Sequence, residues 1–212
     1  MTLADKVTTT RLVLAPVFFA IYFLHRGFLS IFAAMPSSSG ENLLVGAPWT
    51  VPVLWILFIS SGITDMLDGM IARKRGEVSD FGKLFDPFAD TLTQITFFLC
   101  FVMDGILPPL LFLAVLYREF SILFIRNLML KKGIALGARM GGKIKTVAYI
   151  LAASLALLAS SAARLGLDGE FHRWFAFGAK AVFIVSVIIA AISFFDYLSV
   201  FIKTPVKSDD KI

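Results

Sequence analysis

The sequence predicts an all-α polytopic membrane protein, a six-transmembrane-helix bundle with both termini cytoplasmic, formed as one domain across residues 1–212. Three observations carry that expectation. Of the 212 residues, 58% are hydrophobic and the mean hydropathy is +0.84, whereas soluble domains are about 45–50% apolar. Apolar runs long enough to cross a bilayer, which takes roughly 20 residues, recur between short polar segments. The basic residues gather on alternate connections, which orients the spans.

The spans are expected at about 7–30, 50–73, 83–103, 108–131, 145–164 and 173–202. Lys6 and Arg11 precede the first apolar stretch, which contains Pro16 and reads as an uncleaved span rather than a removable leader. Pro36, Ser37, Ser38, Ser39, Gly40 and Pro48 mark a loop. The polar segment Lys74–Phe81 turns the chain back, and Pro87 places the start of regular helix near Asp86. Asp104, Gly105, Pro108 and Pro109 make the next turn. A basic, glycine-rich loop is expected from Lys131 to Lys145, with Gly133, Gly137 and Gly141 serving flexibility or phosphate approach, and Asp168–His172 closes off the fifth span.

Orientation follows from Lys and Arg. Residues 73–83 contain Arg73, Lys74, Arg75 and Lys83; residues 131–145 contain Lys131, Lys132, Arg139, Lys143 and Lys145; the tail adds Lys203, Lys207 and Lys211. The opposite side has Arg26, Arg164 and Arg173 near its span ends. Both termini and both basic loops therefore belong in the cytoplasm. The net charge of +5 reflects this bias and also favours anionic lipids and substrates. Cys100, the single cysteine, lies in an apolar run and forms no intrachain disulfide. His25 and His172 read as interfacial residues, as do Trp49, Trp55 and Trp174. Asp196 lies in the last span and is expected to make a polar contact within the bundle.

Four carboxylates stand out. Asp65 and Asp68 are three apart and Asp86 and Asp90 four apart, so each pair shares a helix face. Carboxylates at a bilayer edge are costly and mark function. Clustered, they repel unless cations separate them, and hard oxygen ligands suit Mg²⁺, Mn²⁺ or Ca²⁺. Ionisable residues in a membrane protein also mark ion paths, so a cation transporter is the second reading; it expects acids near the midplane and repeated halves, and neither pattern is visible in the sequence. Arg118, Glu119 and Arg126 lie within the fourth span, Arg118 and Arg126 on nearly one face, with Lys143, Lys145 and Thr146 opening the fifth span on the same side. A buried Arg118–Glu119 pair with a snorkelling Arg126 accounts for these residues structurally; a basic pocket for a phosphorylated acceptor accounts for them functionally and is the reading favoured here.

Residues 65–90 resemble the signature of the CDP-alcohol phosphatidyltransferase family: Asp65-x-x-Asp68-Gly69-x-x-Ala72-Arg73, eight residues, then Gly82-x-x-x-Asp86-x-x-x-Asp90, with no mismatch. The resemblance implies that the single domain is a membrane enzyme which moves the phosphatidyl group of a CDP-linked lipid onto an alcohol and releases CMP. By resemblance, Asp65, Asp68 and Asp86 are metal ligands, and Asp90 is the catalytic base and close enough to touch a metal too. Two Mg²⁺ or Mn²⁺ ions are implied. Asp68, Gly69, Ala72, Arg73 and Gly82 would hold the nucleotide of the CDP-lipid, the glycines serving both cytidine approach and close helix packing.

Arg118-Glu119, Arg126, the run Gly142-Lys143-Ile144-Lys145-Thr146 and the phrase Phe85-Asp86-Pro87-Phe88-Ala89-Asp90 resemble the phosphatidylglycerophosphate synthase branch. There the acceptor is glycerol 3-phosphate, whose phosphate Arg118, Arg126, Lys143 and Lys145 would bind. Ala4-Asp5 stand where that branch often has Pro-Asn, and Thr91 stands where Lys commonly follows the last Asp. Inositol phosphate, another head-group alcohol or a phospholipid therefore stay open as acceptors. The resemblance covers roughly residues 8–150. It further implies a homodimer in a bacterial-type inner membrane, with the site facing the cytoplasm, and no nucleic-acid partner.

Overall fold

A computed structural model describes residues 3–24, 48–75, 80–131, 140–167 and 169–203, with side chains from residue 7 onward except near the ends facing residues 65–83 and 131–140. These residues form six helices and no strand: α1 (Leu3–Phe23), α2 (Thr50–Arg75), α3 (Asp80–Met103), α4 (Pro109–Lys131), α5 (Met140–Arg164) and α6 (Gly169–Lys203).

Three boundaries differ from expectation. Helix α3 begins at Asp80, so Asp86 and Pro87 lie inside it rather than at its start. Proline removes one ladder bond and crowds the preceding turn, yet the helix carries through. Helix α5 begins at Met140, so Gly141, Gly142, Lys143 and Lys145 stand on its first turns and not in a loop. The reason is packing: a Cβ on Gly141 would meet the Ser193 side chain at 3.3 Å, so the missing side chain lets α5 close on α6. Helix α6 begins at Gly169 and includes His172, whose ring Nδ1 lies 2.9 Å from the Ala159 carbonyl oxygen. His25, Gly133 and Gly137 lie outside the described residues.

The turn at Gly105 closes as read from the sequence, whereas the cap after α5 falls at Gly166, ahead of the Asp168–His172 segment expected to close that span. Gly105 has φ +71° and Gly166 has φ +65°. Gly105 N–H donates to Val102 O and Ile106 N–H to Phe101 O, both at 2.9 Å. Gly166 N–H donates to Ala163 O at 3.2 Å and Leu167 N–H to Ala162 O at 3.0 Å. Each pair is a Schellman cap, which needs the left-handed residue that glycine supplies without a Cβ penalty.

Packing centres on aromatic rings. Phe18 of α1 meets Phe97 of α3 at 4.6 Å between centroids, and Phe98 meets Tyr149 of α5 at 5.3 Å and Phe183 of α6 at 4.9 Å. Cys100 is buried in this core. Helices α5 and α6 pack along much of their length, and both bury small residues, Ala152, Ala156 and Ala159 on α5 and Ala179, Ser186 and Ala190 on α6. The 35-residue α6 is apolar throughout, yet only 22% of its most apolar stretch is covered by protein. By length and composition, Gly141–Arg164 and Gly169–Lys203 can cross a membrane.

One end of the bundle is tied by Arg164, counted in sequence as a span-end charge but in fact fully buried. Its Nη1 donates to Thr50 Oγ1 (3.0 Å), its Nη2 to Tyr22 O (2.9 Å) and its Nε to Ser160 Oγ (3.2 Å). The guanidinium lies 4.5 Å from the Tyr22 ring centroid, and the Tyr22 hydroxyl donates to Asp104 Oδ2 (2.6 Å). Trp55 Nε1 donates to Ser161 Oγ (3.1 Å) nearby, so this indole serves the bundle as well as its surface, while Trp49 and Trp174 are exposed. Asp196 lies on the exposed side of α6. Arg164→Met strips three acceptors of their donor at once. It should destabilise the detergent-solubilised protein by about 1–3 kcal/mol, read as a lower thermal midpoint by tryptophan fluorescence, with Arg164→Lys recovering part of the loss.

Candidate active site

The opposite end carries the charged residues singled out in the sequence. Helix α2 is helical through Arg75 and α3 from Asp80, so Asp65 and Asp68 stand on the last turns of one helix, and Asp86 and Asp90 on the early turns of the next. The side chains of Asp65, Asp68, Gly69, Ala72 and Arg73 lie outside the described residues; Gly82 is buried. Helix α1 packs on both α2 and α3. It brings two groups to the acids that sequence reading did not assign to them. The Thr8 hydroxyl donates to Asp86 Oδ1 (2.6 Å), and the buried Arg11 guanidinium pairs with Asp90. Thr8 and Arg11 are one helical turn apart, as are Asp86 and Asp90, so the two faces match residue for residue.

Asp86 and Asp90 supply hard carboxylate oxygens on one face, a donor chemistry that fits a divalent cation. Among the described residues no three His, Cys, Asp or Glu side chains converge, and the fit rests on this α3 pair together with the helical placement of Asp65 and Asp68.

Beside Asp90 opens a cavity of about 510 Å³ to which all six helices contribute, from Arg11 on α1 and Gly62 on α2 to Tyr197 on α6. Its wall includes Arg118, Arg126, Lys143 and Lys145, so the structure brings all four expected basic residues to the cavity that Asp90 also lines. Their states differ. Glu119 holds two of them: Lys145 Nζ lies 2.8 and 2.9 Å from its oxygens, and Arg118 Nη1 lies 3.0 Å from both. Arg118 is further fixed by Ala190 O (3.2 Å) and Ser193 Oγ (3.3 Å) on α6. Glu119 and Lys145 are buried. Adjacency of Arg118 and Glu119 made their pairing legible; the Lys145 contact crosses 26 residues and was not.

Arg126 meets no carboxylate among the described residues; its Nη2 donates to the Tyr197 hydroxyl (3.3 Å) and its guanidinium lies 5.6 Å from that ring's centroid. Its Nε is buried with no hydrogen-bond partner among the described residues. Lys143 is exposed at the cavity wall. The cavity thus offers five cations, Arg11 among them, against the two carboxylates Asp90 and Glu119, with the least compensated charge at Arg126 and Lys143. Below them, Thr93 Oγ1 and Tyr149 OH are also buried without a hydrogen-bond partner among the described residues. Buried polar groups in this state are uncommon and call for an explanation such as a bound ligand. The arrangement fits an anionic molecule with its charge at the basic wall and a reactive group at Asp90.

A family model described as CDP-alcohol phosphatidyltransferase matches residues 1–192. A Treponema pallidum protein named CDP-diacylglycerol--glycerol-3-phosphate 3-phosphatidyltransferase is 40% identical over 203 residues, covering 95% of this chain and 89% of the relative. A Bacillus subtilis protein of the same name is 34% identical over 160 residues, covering 74% and 76%. A Mycobacterium tuberculosis protein named probable phosphatidylglycerophosphate synthase is 28% identical over 197 residues, covering 93% and 80%.

The Glu119 clamp yields a stability test. Glu119→Gln leaves Arg118 and Lys145 buried without their shared counter-charge, a change that typically costs about 3–5 kcal/mol. Thermal unfolding in detergent should show a larger loss for Glu119→Gln than for Lys145→Met, which leaves Arg118 and Glu119 paired.

Proposed function

Because the chain belongs to the CDP-alcohol phosphatidyltransferase family, we propose that it transfers the phosphatidyl group of CDP-diacylglycerol to sn-glycerol 3-phosphate, giving phosphatidylglycerophosphate and CMP. Relatives covering most of the chain carry the name of this reaction. The observation that carries the reading is the cavity that places Asp90 and the basic wall of Arg126 and Lys143 around one space. The transporter alternative gives way to a transferase with the family assignment.

In this reading the protein is integral to a bacterial-type inner membrane. Both termini and the motif face the cytoplasm, where CTP-derived substrates are made, and the chain crosses the bilayer six times and works as a homodimer. The CDP-lipid lies along Asp68, Gly69, Ala72, Arg73 and Gly82. The acceptor phosphate lies at the basic wall. Arg126 and Lys143 meet it directly, while Arg118 and Lys145, held by Glu119, add positive potential and shape.

Phosphoryl transfer asks the protein mainly for alignment and charge neutralisation. The family depends on divalent cations. Two Mg²⁺ or Mn²⁺ ions held by Asp65, Asp68, Asp86 and Asp90 would neutralise the pyrophosphate and the departing CMP. Asp90 takes the proton of the acceptor's free hydroxyl. The oxygen so released bonds to the phosphatidyl phosphorus as the bond to the CMP oxygen breaks. Thr8, through its hydrogen bond to Asp86, holds the acidic face in register with α1.

Turnover, measured as CMP released from CDP-diacylglycerol, should vanish in EDTA and return with Mg²⁺ or Mn²⁺; full activity in chelator refutes the metal site. Arg126→Ala removes a charge-assisted contact of about 1.5–3 kcal/mol. It should raise KM for glycerol 3-phosphate roughly 10- to 150-fold and leave KM for CDP-diacylglycerol nearly unchanged. Asp90→Asn should keep substrate binding and lose turnover. An enzyme that prefers an unphosphorylated acceptor would overturn the acceptor while keeping the reaction class.

A further inference from the structure

Arg11 is a charged side chain in a place where charge is expensive. It is 2% exposed, lines the cavity, and sits against Asp90. Only the arginine of this pair is buried, Asp90 being half exposed, so Arg11 bears a desolvation cost that a partly solvated partner offsets poorly. Its position therefore calls for a reason beyond holding α1 to α3, which Phe18 on Phe97 already does with apolar surface. Asp86 and Asp90 supply one. Two carboxylates on one helix face repel, and α1 answers with one neutral donor, Thr8, and one cation, Arg11.

We propose that Arg11 is an internal counter-ion that pairs with Asp90, competes with a divalent cation for its oxygens, and passes to the phosphate of the CDP-lipid when the cation takes its place. The inference rests on the carboxylate reading above and adds to it a residue outside the motif. The guanidinium and a divalent cation want the same Asp90 oxygens and repel each other, so they compete there in the absence of substrate. The pyrophosphate changes the balance. It brings negative charge into the cavity, and a planar guanidinium fork suits two phosphate oxygens. Arg11 already lines that cavity, and its side chain is long enough to shift by rotamer changes while α1 stays packed. The phosphate nearest Asp90 is the one attacked, because Asp90 takes the proton of the attacking hydroxyl. Arg11 then acts as a positioning residue for Asp90 before substrate binds and as a phosphate contact once it has.

The two roles give opposite signs in one variant. Arg11→Met keeps an unbranched side chain and removes the charge. With full-length protein in detergent, Mn²⁺ binding without lipid, followed by loss of the free-ion electron paramagnetic resonance signal, should tighten about tenfold or more. At saturating Mn²⁺, KM for CDP-diacylglycerol should rise about tenfold or more, the scale of one lost charge-assisted contact. Arg11→Lys keeps the charge without the fork, so its Mn²⁺ affinity should stay at the parent value while KM for the lipid still rises; this variant carries the test if Arg11→Met fails to fold. Mn²⁺ affinity that is unchanged or weaker in Arg11→Met overturns the competition. Tighter Mn²⁺ with an unchanged lipid KM overturns the transfer to phosphate. Protein that binds Mn²⁺ as expected but releases no CMP from CDP-diacylglycerol instead sinks the proposed reaction and leaves the counter-ion standing.

Discussion

One carboxylate, Glu119, decides whether the charged half of this bundle holds together. It is buried, and it receives a lysine from α5 and an arginine from its own helix. Through Arg118 the clamp continues to Ala190 and Ser193 of α6. Ser193 is also the residue against which Gly141 packs, so the first turn of α5, the middle of α4 and the end of α6 meet around one anion. Without it, two cations would face each other in an apolar interior, and the helices would separate to let water in. With it, three helices stand close enough to leave a cavity bounded by fixed charges, and cations held in fixed positions are what an anionic substrate needs.

The two ends of the bundle solve the burial of charge in different ways. At one end, Arg164 spends its donors on Thr50, Tyr22 and Ser160, and the Tyr22 hydroxyl passes the network on to Asp104. That end is a clasp, with three helices tied by one guanidinium and the α3 end joined through Tyr22. At the other end, Arg126 Nε, Thr93 Oγ1 and Tyr149 OH stay buried without hydrogen-bond partners among the described residues, all of them on the cavity wall. Thr93 departs from local habit here: Thr96, Thr146, Ser154 and Ser161 each donate to the carbonyl four residues back. Polar groups without protein partners gathered on one wall are groups that a polar ligand can meet.

What the sequence made legible follows from how local each signal is. The acidic motif is visible because its members lie within 26 residues at helical spacings, and helix geometry alone puts them on shared faces. The turn at Gly105 is visible because a left-handed cap has a residue signature. The start of α5 was missed because Gly141 and Gly142 weigh against helix by about 1 kcal/mol each, and only the contact with Ser193 shows what reverses that preference. Pro87 misled for a related reason: one lost ladder bond marks a break locally, but the packed helix tolerates it. Arg11 reads, with Lys6, as the basic lead-in to a span, and Thr8 carries no local signal, because the acids both residues meet lie far along the chain.

That last omission shows what the fold adds to the motif. A spacing pattern places carboxylates on helices but says nothing of what neutralises them before substrate arrives. The answer lies 78 residues away for Asp86 and on the same face of α1 for Asp90. Helix α1 packs on both motif helices, and it meets the acidic face of α3 with two groups, a short hydroxyl and a flat guanidinium. A lysine there would offer a point charge without the planar fork, and an apolar residue would leave Asp86 and Asp90 to repel along their shared face. The first helix is therefore part of the site in the electrostatic sense, because the acidic helices can stand this close to an apolar core only while α1 supplies the opposing charge.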